Sequence, residues 1–230
     1  LARGKDSVAL RPFARLIMLD YNTGYFRGLN AGLDTCAKDR DTLLIVGNND
    51  LRFDADFISR LKDIRYENDV MVIAPNIITL EGRRQNPHVM VRVPTLELLK
   101  ARIYFSNYYM GQAGRYAGAV AKTLIRVVLP PRSHRKPVVE PGRMKIKRGI
   151  GACYVLTPNF FKHHKRLDDR VFLWGEEALL SHQVESVSGT TLYDPTIKVT
   201  HCESASVRFI ETRERYEIVR ASYRIYRKYL

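Results

Sequence analysis

Two adjacent carboxylates, Glu176 and Glu177, stand where a helix should begin, directly after Phe172, Leu173, Trp174 and Gly175. A helix N-terminus favours the ionised form of a carboxylate, so either residue could accept a proton from a reacting group. The chain's single tryptophan, Trp174, lies beside them. Plain charge complementarity at a helix start explains many acidic pairs and is the competing reading. Asp50 ends a run of different character, following an apolar strand-like segment and the amides Asn48 and Asn49. In open α/β sheets ligands bind beyond the carboxyl ends of strands, where a carboxylate can hold a divalent cation against a phosphate. A polar turn that merely caps the next helix would look the same. His201 follows a strand-like run and precedes Cys202, Glu203 and Ser204. A lone histidine at a strand end is more often structural, so its interest depends on whether the fold brings it to Asp50. Asn22, Thr23 and Gly24, with Arg27, Asn30 and Gly32, supply amides, backbone freedom and a cation suited to a nucleotide, although Asn/Gly turns are common.

These groups need a scaffold, and the first half of the chain alternates strand-like and helix-like segments. Residues 14–19 read as a strand, 25–38 as a helix and 42–47 as a buried strand. Asp54 or Asp56 could cap a helix running to Ile64, and residues 69–74 form a further strand stopped by Pro75. Such spacing favours a parallel sheet with helices on its faces. Leu96, Leu99, Ile103 and Tyr104 then keep helical spacing, before a loop marked by Pro130, Pro131, Pro137 and Pro141. A strand over 152–157 follows, with Pro158 at the first position of a helix behind Thr157. The spacing further predicts a helix over 176–186, strand pieces at 190–193 and 197–200, and a long terminal helix over 208–229.

Composition bounds the class. With 230 residues, 45% hydrophobic and 27% charged, the chain has globular rather than disordered or fibrous character. No apolar run approaches the roughly 18–20 residues of a membrane span, and no signal-peptide pattern opens the sequence. Three cysteines, Cys36, Cys153 and Cys202, are an odd number without metal-ligand spacing, which suits free thiols in a reducing, cytoplasmic setting. Charge is the outlier, at +14. Residues 96–148 hold 12 basic and two acidic residues, and residues 208–230 hold seven and three, so the remainder is neutral. A neutral body with two basic appendages suits a polyanionic partner, either a membrane leaflet or nucleic acid.

Taken in order, Asn22-x-Gly24, Asn30-x-Gly32, Asn48-Asn49-Asp50, Gly151-Ala152-Cys153, Phe172 to Glu177, Tyr193-Asp194-Pro195 and Val199-Thr200-His201 resemble the family 2 glycosyltransferases that act on nucleotide sugars. The likeness is greatest to bacterial members that build capsular or O-antigen polysaccharide, and it runs from about residue 14 to 210. The resemblance implies an α/β fold: one nucleotide-sugar-binding domain of GT-A type over residues 1–207, with a mixed, mostly parallel sheet. A basic helical insert would occupy about 96–148, and a basic C-terminal helix 208–230. It implies inverting transfer from a UDP- or dTDP-sugar to a glycan hydroxyl, with Glu177 matching the catalytic base and Glu176 beside it. Asp50 and His201 would hold a divalent cation, Mg²⁺ or Mn²⁺; Asn48 replaces the first acid of the family's metal motif. Asn22, Gly24, Arg27, Asn30 and Asn48 would lie on the donor side, and Gly151, Ala152 and Trp174 on the acceptor side. The sequence begins at Leu1 rather than Met, and the family's opening strand, with its acidic base-recognition residue, has no visible counterpart.

The implied acceptor is lipid-linked, carried on polyprenyl diphosphate, which would place the protein peripherally at the inner face of the plasma membrane. Tyr104, Phe105, Tyr108, Tyr109, Tyr216, Tyr223, Tyr226 and Tyr229 would supply the apolar side of basic helices lying on that anionic surface. The same faces could instead pack on the core or in a homodimer. Basic residues among tyrosines also suit nucleic acid, but no recognised binding motif is present, so nucleic acid is not expected as the partner. An inactive scaffold on the same fold is the other alternative.

Overall fold

The computed structural model describes residues 15–90, 93–128, 140–203 and 212–230. Pro130, Pro131, Pro137 and the first residues of the expected terminal helix, 208–211, lie outside the described residues. Within them the chain is α/β, with a mixed sheet of six strands and seven α-helices. The strands are β1 (Leu44–Gly47), β2 (Leu51–Phe53), β3 (Val70–Thr79), β4 (Met144–Ile146), β5 (Cys153–Leu156) and β6 (Thr190–His201). Their order is β1-β5-β3-β6-β2, with β4 also on β6.

The expected mostly parallel sheet is corrected here. Only β3 and β6 pair in parallel; β1–β5, β3–β5, β2–β6 and β4–β6 are antiparallel. The reason is positional. β1 and β3 run the same way, as strand–helix–strand spacing requires, but β5 enters between them from more than seventy residues downstream and opposes both. Residues 15–19 form no strand. β3 does not stop at Pro75 but continues to Thr79. Proline has no N–H to give to a ladder. Pro75 sits where the register slips, opposite Asp194, and the next pairing is Asn76 with Lys198. The two strand pieces expected at 190–193 and 197–200 are therefore one strand with an irregularity, in which the Asp194 carboxylate accepts bonds from the Thr196 N–H and hydroxyl.

Apolar side chains bury both faces of the sheet, alternating along β5 and, in β3, interrupted by an irregularity between Val70 and Val72. Met71, Val72, Tyr154 and Leu156 pack with Phe26, Phe160, Leu180 and Val184 on one side. Val70, Ile73, Cys153 and Val155 pack with Phe57, Leu61, Ile197 and Val199 on the other. Successive strand side chains point to opposite faces, so a strand clothed on both sides is apolar on both, as β3 is from Val70 to Pro75 before the buried Asn76. Helices α1 (Tyr25–Thr35), α5 (Pro158–His163) and α6 (Glu176–Ser186) cover the first face, and α2 (Phe57–Asp63) the second. Pro158 opens α5 as its position suggests, but the Thr157 hydroxyl reaches back to the Val70 and Met71 carbonyls rather than capping the helix.

The helices of the two basic regions pack on one another. Helices α3 (Thr95–Tyr104) and α4 (Tyr108–Val128) meet the terminal helix α7 (Thr212–Tyr226) through an aromatic cluster of Tyr104, Phe105, Tyr108, Tyr216 and Tyr223. The Tyr216 hydroxyl lies 2.7 and 2.6 Å from the Tyr104 and Asn107 carbonyls, and Arg220 Nε donates to Phe105 O. These aromatics are spent on packing. No helix among the described residues is long and apolar enough to cross a membrane, and the three cysteines are free thiols.

Asn30 shows how α1 is tied to the body. It is 3% exposed, its Nδ2 donates to Leu167 O (2.9 Å) and Asp169 Oδ2 (3.1 Å), and its Oδ1 accepts from Leu167 N (2.9 Å). Asn30→Ala is expected to lower thermal stability by about 2 kcal/mol, because it strands the buried Leu167 amide and carbonyl. Calorimetric or dichroic melting checks this; an unchanged melting temperature would refute the role.

Candidate functional site

The ends of β1, β5 and β6 meet at one edge, and short connections there carry the polar residues. The Asn48 N–H donates to Ala152 O, linking the turn after β1 to the start of β5, and the Cys202 N–H donates to Asp50 O. Leu51 pairs with His201 across β2 and β6, so the residue before β2 and the last residue of β6 are neighbours by register. Asp50 Oδ1 consequently lies 3.3 Å from His201 Nε2, with the Asn48 amide also 3.3 Å from that nitrogen.

Gln85 sets the histidine's tautomer. Its amide nitrogen donates to Glu203 Oε1 (2.8 Å), so its carbonyl oxygen faces His201 Nδ1 at 2.8 Å and must accept. Nδ1 then carries the hydrogen, and in the neutral ring Nε2 presents a lone pair beside the Asp50 carboxylate. Two electron-rich atoms at that distance suit a shared cation. A carboxylate oxygen beside an imidazole nitrogen is a partial shell that suits Mn²⁺ better than Mg²⁺, whose ligands are oxygens, and phosphate and water would complete it. No cluster of three or more metal-ligating side chains occurs among the described residues, so phosphate or water would have to supply the rest.

The acidic pair sits on a strained corner. Trp174 (φ 64°) and Gly175 (φ 98°) are both left-handed, and Gly175 caps α6. A Cβ on Gly175 would lie 2.1 Å from the Tyr226 ring of α7, so backbone shape and space both demand glycine. The turn drives Glu176 inward, to 4% exposure, where its Oε1 is buried with no hydrogen-bond partner. Burial, reinforced by the charge of Glu177, pushes its carboxyl from 4.5 up to about 7 despite nearby backbone N–H groups. Glu177 turns the other way. Its Oε1 accepts the Gly151 N–H at 3.1 Å, and a Cβ on Gly151 would come within 2.8 Å of that oxygen. The Tyr25 hydroxyl donates to Gly151 O at 2.6 Å, and its own pKa is raised by burial and the surrounding acids.

A cavity of about 600 Å³ brings these groups together. Asn48, Asp50, Gly151, Ala152, Trp174, Glu176, Glu177 and His201 all line it. Asn22 and Gly24 line an adjoining hollow of about 340 Å³, which shares Tyr25 and Leu173 with the first. Arg27 and Asn30 line neither. Arg27 projects to within 4.0 Å of Asp169, and the Asn30 amide is used up inside the fold. The sequence reading missed Tyr25, Gln85, Glu203 and Arg215, which also line the larger cavity. Arg215 lies over Trp174, 5.1 Å from the ring centroid. Only the aromatic beside Gly24 carried any local signal of this; the other three arrive by tertiary packing.

Compared with known proteins, the chain matches no family model, and no curated protein is significantly similar to it.

Glu176 gives a pH test. Its folded pKa lies above its unfolded value, so the folded state holds the extra proton, and stability falls as pH rises from 4.5 through about 7. Glu176→Gln should abolish that fall and leave the protein more stable than wild type on the alkaline side. Melting temperatures measured across this range check it; parallel curves for the two proteins would contradict the burial of an ionisable Glu176.

Proposed function

We propose that the protein is an inverting glycosyltransferase that moves a sugar from a nucleotide diphosphate, UDP or dTDP, to a hydroxyl of a glycan acceptor carried on a lipid diphosphate. The order of signatures resembling the family 2 enzymes of bacterial surface polysaccharide synthesis suggests this reaction, which would take place on the cytoplasmic side. The observation that supports it is the convergence of Asp50, His201 and the residues from Trp174 to Glu177 on one cavity, although they lie up to 151 positions apart.

Each residue then has a role that its surroundings suit. Glu177 is the base: its carboxylate faces the cavity, is oriented by the Gly151 amide, and takes the proton of the acceptor hydroxyl as that oxygen attacks the anomeric carbon. Glu176, carrying a proton near neutrality, adds little repulsion to Glu177 or to an incoming diphosphate. Asp50 and His201 Nε2 would hold a divalent cation, which supplies charge neutralisation for the departing diphosphate. Trp174 offers an apolar surface to the acceptor sugar, and Arg215, which also lines the cavity, lies over that ring. The hollow at Asn22 and Gly24, continuous with the cavity through Tyr25 and Leu173, has room for part of the nucleotide.

A thermal-shift panel of UDP-, dTDP- and GDP-sugars with and without Mn²⁺ tests the donor class, since a ligand that binds only the folded state raises its melting temperature. One nucleotide class should stabilise the protein, and more strongly with Mn²⁺. Glu177→Gln should keep that shift while losing on the order of 10²–10⁴ in transfer rate. No shift with any nucleotide sugar, or full activity in the variant, would reject the proposal.

A further inference from the structure

Helix α3 has no buried residue, although it touches both α4 and α7. Leu96, Leu99 and Ile103 recur at three- and four-residue spacing, which places them on one face, and they are 62%, 53% and 49% exposed. Lys100 and Arg102 flank that stripe on its two sides, and the one acid of the helix, Glu97, is paired with Lys100 at 2.6 Å. On α4, Tyr109, Tyr116 and Val120 form a second exposed face, turned away from Gly111, which packs on Tyr216. Between α3 and the turn after α7 lies a groove of about 470 Å³, in which Arg102, Arg227 and Lys228 meet and no carboxylate takes part. Leu99, from the exposed stripe, forms part of its wall.

We infer that this α3–α7 surface docks the protein on an anionic lipid bilayer, with Leu96, Leu99 and Ile103 entering the interface and the Arg102–Arg227–Lys228 groove receiving headgroup phosphate. The pairing of features selects the occupant. An apolar stripe bordered by cations complements a bilayer interface, where acyl chains lie under phosphates. Nucleic acid matches the cations but offers nothing to three aliphatic side chains, since it is read by stacking on aromatics. A second copy of this strongly basic chain would bring like charge against Arg102, Arg227 and Lys228. Of the aromatics that the sequence suggested for such a contact, Tyr109 stays exposed on α4, and most of the others are engaged within the fold. Tyr104, Phe105, Tyr108, Tyr216 and Tyr223 hold the helices together, Tyr226 packs on Gly175, and Tyr229 stacks on His182 at 3.9 Å. The lipid-facing residues are aliphatic ones on α3. None of this requires sugar transfer, so it stands or falls separately from that reading.

Flotation of the whole chain with phosphatidylglycerol/phosphatidylcholine vesicles, and with phosphatidylcholine vesicles alone, tests the inference at low and high salt. The protein should float with the anionic vesicles, less so at high salt, and not with the neutral ones. Replacing Arg102, Arg227 and Lys228 together by Ser should lower the partition coefficient on the order of 100-fold, at about fivefold per cation. Leu96→Ser with Leu99→Ser should abolish the binding that survives high salt. All five residues are exposed, so the melting temperatures of the variants should match wild type. Failure to float on anionic vesicles at low salt would overturn the inference. So would unchanged flotation in both variants, or a dimer that only the leucine variant dissociates, or binding to single-stranded RNA in place of vesicles.

Discussion

The bond from the Gly151 amide to Glu177 Oε1 is the contact on which the site depends. It joins the N-terminus of α6 to the loop entering β5. That loop is in turn bonded to the turn holding Asn48, through Ala152 O, and Asp50 is bonded to the end of β6 through Cys202. Each link spans a large sequence separation, and each uses a backbone group, so side-chain identity is left free for chemistry. The absence of a side chain at Gly151 is what lets the carboxylate approach. A methyl there would press on the oxygen that the amide orients.

The electrostatics follow from the same geometry. Asp50, Glu176, Glu177 and Glu203 face a cavity to which Arg215 brings a cation. Such a concentration of acids is unfavourable unless some are neutralised. Burial protonates Glu176 in part, and Arg83 and Gln85 hold Glu203. Glu177 lines the open cavity, close enough to the buried Arg148 guanidinium to act on its charge. Strain is concentrated here too, in two consecutive left-handed residues at Trp174 and Gly175. Strained backbone that the surrounding packing enforces is common where a side chain must be aimed rather than merely accommodated.

Local pattern carried much of this into the sequence. Helix α6 begins and ends where its spacing indicates and Pro158 opens α5, whereas the strand before Asp50, read as buried, is the edge strand β1, with Val46 buried and Ile45 exposed. Pairing was not legible. β5 inserts between β1 and β3, and nothing in its own residues says which strands it will oppose. Pro75 looked like a terminus because proline normally ends a ladder, and only the irregularity in the partner strand at Asp194 permits passage. Asp50, His201 and Glu177 could be picked out by their types and positions at element ends. Arg27 and Asn30 shared that appearance but serve α1 and the loop it packs on. Gln85 and Arg215 could not be found, because one acts by fixing a tautomer and the other by covering a ring, both across long separations.

The proposed reaction requires that one ion and one nucleotide share the cleft between Asp50, His201 and Glu177. Paramagnetic broadening of backbone amide signals by Mn²⁺, recorded with UDP present, reads that position directly. Amides of Asn49, Asp50, Gly151, Glu177 and Cys202 should fade first and together, while those of α3 and α4 persist. Broadening centred on another part of the molecule, or spread evenly over its surface, would contradict the assignment of this cleft.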